Sequence, residues 1–140
     1  MSLLFPKKWK FRKQHRWRIK WESFRGNYVA FWDFWLKATS NNYITNRQIE
    51  AARKVIVRYT RKVWKIWIRV FPDLPYTKKW LEMPMGKGKW DVDIYRFRVK
   101  RGRILFEVNW VRREVAEEAF RQASYKLPVS TRLVAKGEVR

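Results

Sequence analysis

At 140 residues with 46% apolar side chains, the chain has the size of one domain and enough hydrophobic content to bury a core. The absence of cysteine excludes disulfides and thiolate metal sites, and the single histidine, His15, cannot furnish a zinc site or a pair of catalytic imidazoles. Thirty-four Lys plus Arg against twelve Asp plus Glu leave a formal charge of +22, which makes a compact domain repel itself and calls for a polyanionic partner.

Nucleic acid suits that charge better than lipid, because no segment reads as a long basic amphipathic helix with an unfilled apolar face. No apolar run is long enough for a membrane span, and no signal peptide is expected, since the basic run follows the short apolar start. Ten tryptophans, in a chain that is 18% aromatic, are interleaved with Arg and Lys. That mixture suits base stacking as well as phosphate contact, although many of the rings are expected in the core.

Residues 1–26 read as an extended basic arm that orders on RNA. Lys7, Lys8, Lys10, Arg12, Lys13, Arg16, Arg18, Lys20 and Arg25 are opposed only by Glu22, and no helical or strand period fits. Residues 27–140 read as a single domain. Gly26-Asn27 marks a turn, Tyr28–Lys37 is rich in aromatic and β-branched residues and reads as a strand, and Thr39–Tyr43 reads as a polar loop. Thr45 opens a helix, with Gln48 completing a capping box. Its stripe of Ile49, Ala52, Ile56, Tyr59 and Val63 is expected to pack on a sheet, leaving Arg47, Lys54, Arg58 and Arg61 outside as candidate RNA contacts.

Trp64–Phe71 has the period of two of a strand, and Pro72 and Pro75 are expected to break its ladder because neither has an amide proton. Residues 77–90 then form a protruding loop, mobile in the free protein, with Met85, Gly86, Lys87, Gly88 and Lys89 at its tip. The glycines let the backbone approach phosphates and the lysines supply point charges. Trp90–Lys100 and Arg103–Asn109 read as a hairpin closed at Arg101-Gly102, with a bulge near Ile94–Tyr95. A second helix is expected over about Arg112–Leu127, with Ala116, Phe120, Ala123 and Leu127 inward and Val115 and Ala119 flanking them. Glu114, Glu117 and Glu118 sit in its early turns, where the helix dipole favours negative charge. Pro128 ends it, and Val129–Ala135 returns as an edge strand. The expected fold class is α+β, a mostly antiparallel sheet with two packed helices.

The enzymatic alternative is a magnesium-dependent nuclease using Asp91, Asp93 and Glu107, carboxylates on neighbouring strands. Lys89, Arg96, Arg98 and Arg103 crowd the same hairpin, however, and salt bridges account for the carboxylates equally well. No nucleophile motif, phosphate-binding loop or dinucleotide fingerprint is present.

The words PKKWKFRKQHR (6–16), RGN (25–27), LKATS (36–40), ITNRQIEAARK (44–54), KIWIRVFPD (65–73), TKKWLEMPMGKGK (77–89), RILFEV (103–108), EVAEEAF (114–120) and KLPVST (126–131) occur in this order. By them the chain resembles, over nearly its full length, the large-subunit ribosomal protein L-sixteen family of bacteria and organelles. The resemblance implies a hammerhead-like α+β fold and a structural constituent of the large ribosomal subunit, with no catalytic residue, metal or cofactor. Its implied partners are large-subunit ribosomal RNA, the A-site transfer RNA and neighbouring ribosomal proteins, with no independent homo-oligomer. The arm and the glycine–lysine loop would reach towards the peptidyl-transferase centre, and the protein would join late in assembly. Carried over residue by residue, the RNA-facing positions are Lys7, Lys8, Lys10, Arg12, Lys13, His15, Arg16 and Arg18 in the arm, Met85 to Lys89 in the loop, and Arg47, Gln48 and Arg53 in the first helix.

Where that family pattern usually has glycine, this chain has Trp17, Trp21, Trp32, Trp35, Trp64, Trp90 and Trp110, and Trp80 replaces a usual proline. Pro84 stands where relatives commonly carry a modifiable arginine. One base change converts a glycine codon into a tryptophan codon, most easily in a genome that reads UGA as tryptophan, which points to a mitochondrial ribosome; the alternative setting is the bacterial cytoplasm. Seven bulky rings cannot all enter an unchanged core, so most are expected to point outward.

Overall fold

A computed structural model describes residues 4–31, 33–60 and 65–137. Along the described chain come β1 (Phe34–Ala38), β2 (Asn42–Thr45), α1 (Asn46–Tyr59), β3 (Ile66–Ile68), β4 (Leu74–Thr77), β5 (Val92–Val99), β6 (Ile104–Val108), α2 (Arg113–Ser124) and β7 (Thr131–Ala135). The fold is α+β, as expected, but the strands form two antiparallel sheets, ordered β3-β6-β1-β7 and β2-β5-β4.

The expected hairpin of β5 and β6 is therefore corrected. The turn exists, closed by the Arg103 amide donating to the Lys100 carbonyl at 3.1 Å, with Gly102 at φ 89°. The two strands leave it for different sheets. Ala38, at the end of β1, accepts from Gly102 at 2.7 Å and donates to Arg103 at 2.8 Å, which draws β6 to β1. The Asn41 side chain accepts from the Arg101 amide at 2.6 Å, so the β1–β2 and β5–β6 connections are tied together at one corner.

β2 falls partly within the segment read as a polar loop. Its four residues are too short to show a period, and it is specified by pairing with β5. β1 starts at Phe34 instead of Tyr28, because the Ala30 and Phe31 amides donate to the Glu107 carboxylate at 3.4 and 3.0 Å and are not offered to a ladder. Pro75 does not end strand structure: it lies within β4, opposite Tyr95. β4 is an edge strand, where a missing amide proton is tolerated. The irregularity in β5 falls slightly earlier than expected, since Tyr76 pairs with Ile94 and Thr77 with Val92, leaving Asp93 as the extra residue. β7 is the edge strand expected, two residues shorter at its start.

The capping box of α1 is present: the Thr45 hydroxyl accepts from the Gln48 amide at 3.2 Å, and the Gln48 side chain accepts from the Thr45 amide at 2.9 Å. Ile49, Ala52 and Ile56 are buried in the core they share with the strands, while α1 as a whole packs chiefly against α2, with β2 and β5 as lesser neighbours. Tyr59, expected on that face, is exposed; Val63 lies outside the described residues. α2 stops at Ser124 instead of Leu127, because Lys126 and Leu127 turn back with tight bonds to Ala123 and Ser124 at 3.0 and 3.1 Å. Ala116, Ala119, Phe120 and Ala123 are buried and Val115 is exposed. With Leu36, Leu105, Phe106 and Val108 these residues make the core.

Every residue of β6 is buried, Glu107 included at 0% exposure. Glu107 sits opposite Trp35 on β1 and Trp67 on β3. Its carboxylate accepts from Arg69 as well as from the two amides named above. A buried carboxylate is tolerable only with such partners.

Candidate nucleic-acid interface

The arm carries neither helix nor strand over residues 4–26, yet it has a seat on the three-stranded sheet. Phe5 stacks on Tyr95 with ring centroids 6.5 Å apart, and Trp9 meets the same ring edge-on at 6.3 Å. Arg16 and Arg96 both lie over the Tyr76 ring, at 4.6 and 3.4 Å from its centroid. The Tyr43 hydroxyl donates to the Trp17 carbonyl, and the Ser23 amide donates to Arg101 at 2.9 Å. Aromatic rings on β2, β4 and β5 thus position a segment that has few aliphatic residues of its own.

Most of the sequence-derived arm cations remain at the surface: Lys7, Lys8, Lys10, Arg12, His15, Arg16, Arg18, Lys20 and Arg25 are exposed. Lys13 is different. It is half-buried, donates to the Lys89 carbonyl at 2.5 Å and approaches Asp91 at 3.7 Å. Lys89 returns the contact by donating to the Gln14 carbonyl. The arm and the base of the glycine–lysine loop are therefore clasped together, a contact that no local sequence signal announces.

No strand interrupts residues 78–91 between β4 and β5, and Leu81 through Lys89 are exposed. Gly86, Lys87 and Gly88 all have positive φ, at 117°, 58° and 91°. A Cβ on either glycine would meet nothing within 4 Å, so glycine is needed there for backbone conformation and not for packing. The tip is an open, cationic surface.

On α1, Arg47 and Arg58 are exposed, while Arg61 lies outside the described residues. Arg53 has a carboxylate partner, donating to Glu50 at 2.9 and 2.7 Å. The bond from Arg53 holds Glu50 below the usual carboxylate range, against an opposing effect of burial.

The carboxylates of the nuclease alternative do not assemble. Glu107 is buried in the four-stranded sheet with Arg69, whereas Asp91 and Asp93 are exposed at the start of β5. Among the described residues no cluster of His, Asp or Glu could hold a metal ion. Nor do salt bridges explain the basic residues of β5 and the turn after it: among the described residues Arg96, Arg98 and Arg103 form no ion pair with Asp91 or Asp93. These three arginines were not expected as functional from the sequence, because alternation with carboxylates made them look neutralised.

Five of the seven tryptophans at usual glycine positions are described. Trp17, Trp21 and Trp110 are exposed, Trp90 is half-buried, and Trp35 is buried in the middle of β1. Trp35 thus departs from the expectation of outward rings; Trp32 and Trp64 lie outside the described residues. Trp21 and Trp110 have φ of 73° and 58°, the left-handed region in which glycine is at ease.

An apolar core beneath a surface of cations that mostly lack acidic partners among the described residues has the charge pattern of a polyanion-binding protein. The family model for ribosomal protein L16p/L10e matches residues 6–134. The chain is 51% identical over 137 residues to the large ribosomal subunit protein uL16 of Staphylococcus aureus strains Newman, JH1 and Mu3, which covers 98% of this chain and 95% of each relative. The chain belongs to the L16p/L10e family of ribosomal proteins, and it is a structural component and not an enzyme.

Proposed function

We propose that this ribosomal protein works in the large subunit, with its arm (1–26) and its loop (77–90) laid on large-subunit ribosomal RNA beside the A-site transfer RNA and near the peptidyl-transferase centre. The observation that carries this reading is the pairing of two cationic, helix-free segments by the Lys13–Lys89 clasp, on a chain that is a family member over nearly its whole length. Held together, they present one basic surface to phosphates. Lysines there contribute charge and positioning without reading sequence. Neighbouring ribosomal proteins are the further partners, and late joining of the subunit fits an element that bridges RNA already folded. The relatives named above are bacterial, which supports a bacterial cytoplasmic ribosome; a mitochondrial one is supported by the tryptophan codon argument alone.

Replacing Lys87 and Lys89 together with alanine tests the reading. The variant is expected to fold normally while large subunits accumulate as late intermediates or bind A-site transfer RNA weakly. Release of the unmodified protein from the subunit should rise steeply with salt, because each phosphate contact returns a counterion. Full assembly and normal translation by the double variant would overturn the assignment of the loop.

A further inference from the structure

A basic cleft lies where the end of the arm meets β5. It is lined by Ser23, Phe24 and Arg25 of the arm, Phe97, Arg98 and Lys100 of β5 and its end, and Arg103 beyond the turn, and it encloses about 330 Å³. We propose that this cleft seats one unpaired nucleotide of RNA, its base against Phe24 and its phosphate against Arg98 and Lys100. The inference rests on the RNA-binding reading above and names a site within it.

Four cations line the cleft and no carboxylate does. Glu22, adjacent in sequence to the lining residue Ser23, pairs instead with Arg101 at 3.0 Å. Arg103 is fixed from two sides by neutral acceptors, donating to the Arg25 carbonyl at 2.7 Å and the Arg69 carbonyl at 3.1 Å. Carbonyls orient a guanidinium but leave its charge in place. Gly26, at φ 66°, is required by the same contact, because a Cβ there would come within 2.5 Å of the Arg103 guanidinium. Burial, and then the like charge of Arg69, push the Arg103 guanidinium below its ordinary value, the signature of a cation without a counter-charge.

The Nε groups of Arg98 and Arg103 are both buried without a hydrogen-bond acceptor among the described residues. Those atoms are shielded from the cleft, but neither guanidinium has a carboxylate partner among the described residues, and a phosphate oxygen is the acceptor that suits guanidinium best. Phe24 stands at the rim with 84% of its surface exposed, and Phe97 carries Arg103 over its ring at 5.4 Å. An exposed ring beside an unneutralised guanidinium pair is the arrangement that holds a nucleotide through stacking and charge, with tolerance for base identity. The open cleft's volume is at the lower end of the ~300–1,000 Å³ of small-ligand sites, enough for a nucleotide and too little for a duplex.

The test uses the full chain and three probes: adenosine monophosphate, adenosine and inorganic phosphate. The monophosphate is expected to bind at least about tenfold more tightly than either fragment. Phe24→Ala should reduce it to the level of phosphate, and Arg98→Ala with Lys100→Ala should weaken both phosphate-bearing probes by about tenfold or more. Equal binding of monophosphate and phosphate, untouched by Phe24→Ala, would overturn the nucleotide in favour of a bare anion site. A companion experiment places the Phe24→Ala chain in reconstituted large subunits, where one nucleotide should gain base reactivity towards a chemical probe. Normal incorporation with no changed nucleotide overturns the cleft and leaves the ribosomal reading standing. Failure of the unsubstituted chain to enter subunits overturns the ribosomal reading instead, and the titration then decides the cleft alone.

Discussion

In the four-stranded sheet, Glu107 is the one buried charged residue among those described, and it meets Arg69 and two backbone amides. In the three-stranded sheet, Arg96 and Arg98 keep buried Nε groups without acceptors, and among the described residues no acidic side chain pairs with them. The first sheet neutralises its buried charge internally; the second leaves its arginine charge without an acidic partner among the described residues. The arm follows the same division, packing Phe5 and Trp9 on the three-stranded sheet while most of its cations stay exposed. A +22 domain can fold because its core excludes nearly all of that charge and its surface holds the rest ready for a polyanion.

The comparison breaks first at Glu107. Glu107→Ala strands the Arg69 guanidinium and should cost ~3–5 kcal/mol in denaturant unfolding. Arg98→Ala removes an unanswered charge, so it should leave stability unchanged or raise it while lowering affinity for RNA. A Glu107→Ala protein as stable as its parent, or an Arg98→Ala protein as damaged as Glu107→Ala, would erase the distinction between the sheets.

The tryptophans sharpen it at smaller scale. Trp21 and Trp110 are exposed in left-handed backbone, which costs an L-residue ~1–2 kcal/mol, so glycine at either should raise stability by about 0.5–1 kcal/mol after its own entropic penalty. Trp35→Gly, inside the four-stranded sheet, should instead be strongly destabilising because it empties a packed site. Thermal unfolding of the three variants gives the order, and the intact mass of the purified protein reports the side chains carried at these positions. A loss of stability in both Trp21→Gly and Trp110→Gly would show that the rings contribute more than the backbone strain costs.

The smallest effect belongs to Glu50 on α1. Its folded pKa is depressed, chiefly by the bond from Arg53, so its contribution is present above the unfolded value and is lost as pH falls through the lower folded one. Acid titration of stability should therefore show a slightly shallower slope in Glu50→Gln than in the parent. Identical slopes would mean that the Glu50–Arg53 pair contributes nothing in solution.

Much of this was legible in the residues. The capping box at Thr45 and Gln48, the buried phase of both helices and the exposed glycine–lysine tip follow from short-range rules of spacing, capping and backbone freedom. The family words carried membership, because they occur in order along the whole chain. Less legible was anything set by what a strand meets. A proline looks like a breaker until an edge position makes its missing proton harmless, as at Pro75. Carboxylates beside arginines look paired until Glu107 and Asp93 are found in different sheets.

By itself, then, the amino-acid order determined the helices, the α+β class, the charge and the family, because each depends on residues near one another in sequence or on totals over the chain. Only the tertiary structure decided that β5 and β6 part at Arg101-Gly102, that Lys13 clasps Lys89, and that Arg98 and Arg103 share a cleft with Phe24 without a counter-charge. Those outcomes depend on hydrogen bonds and charges between residues 60 to 78 positions apart, whose pairing no local pattern encodes.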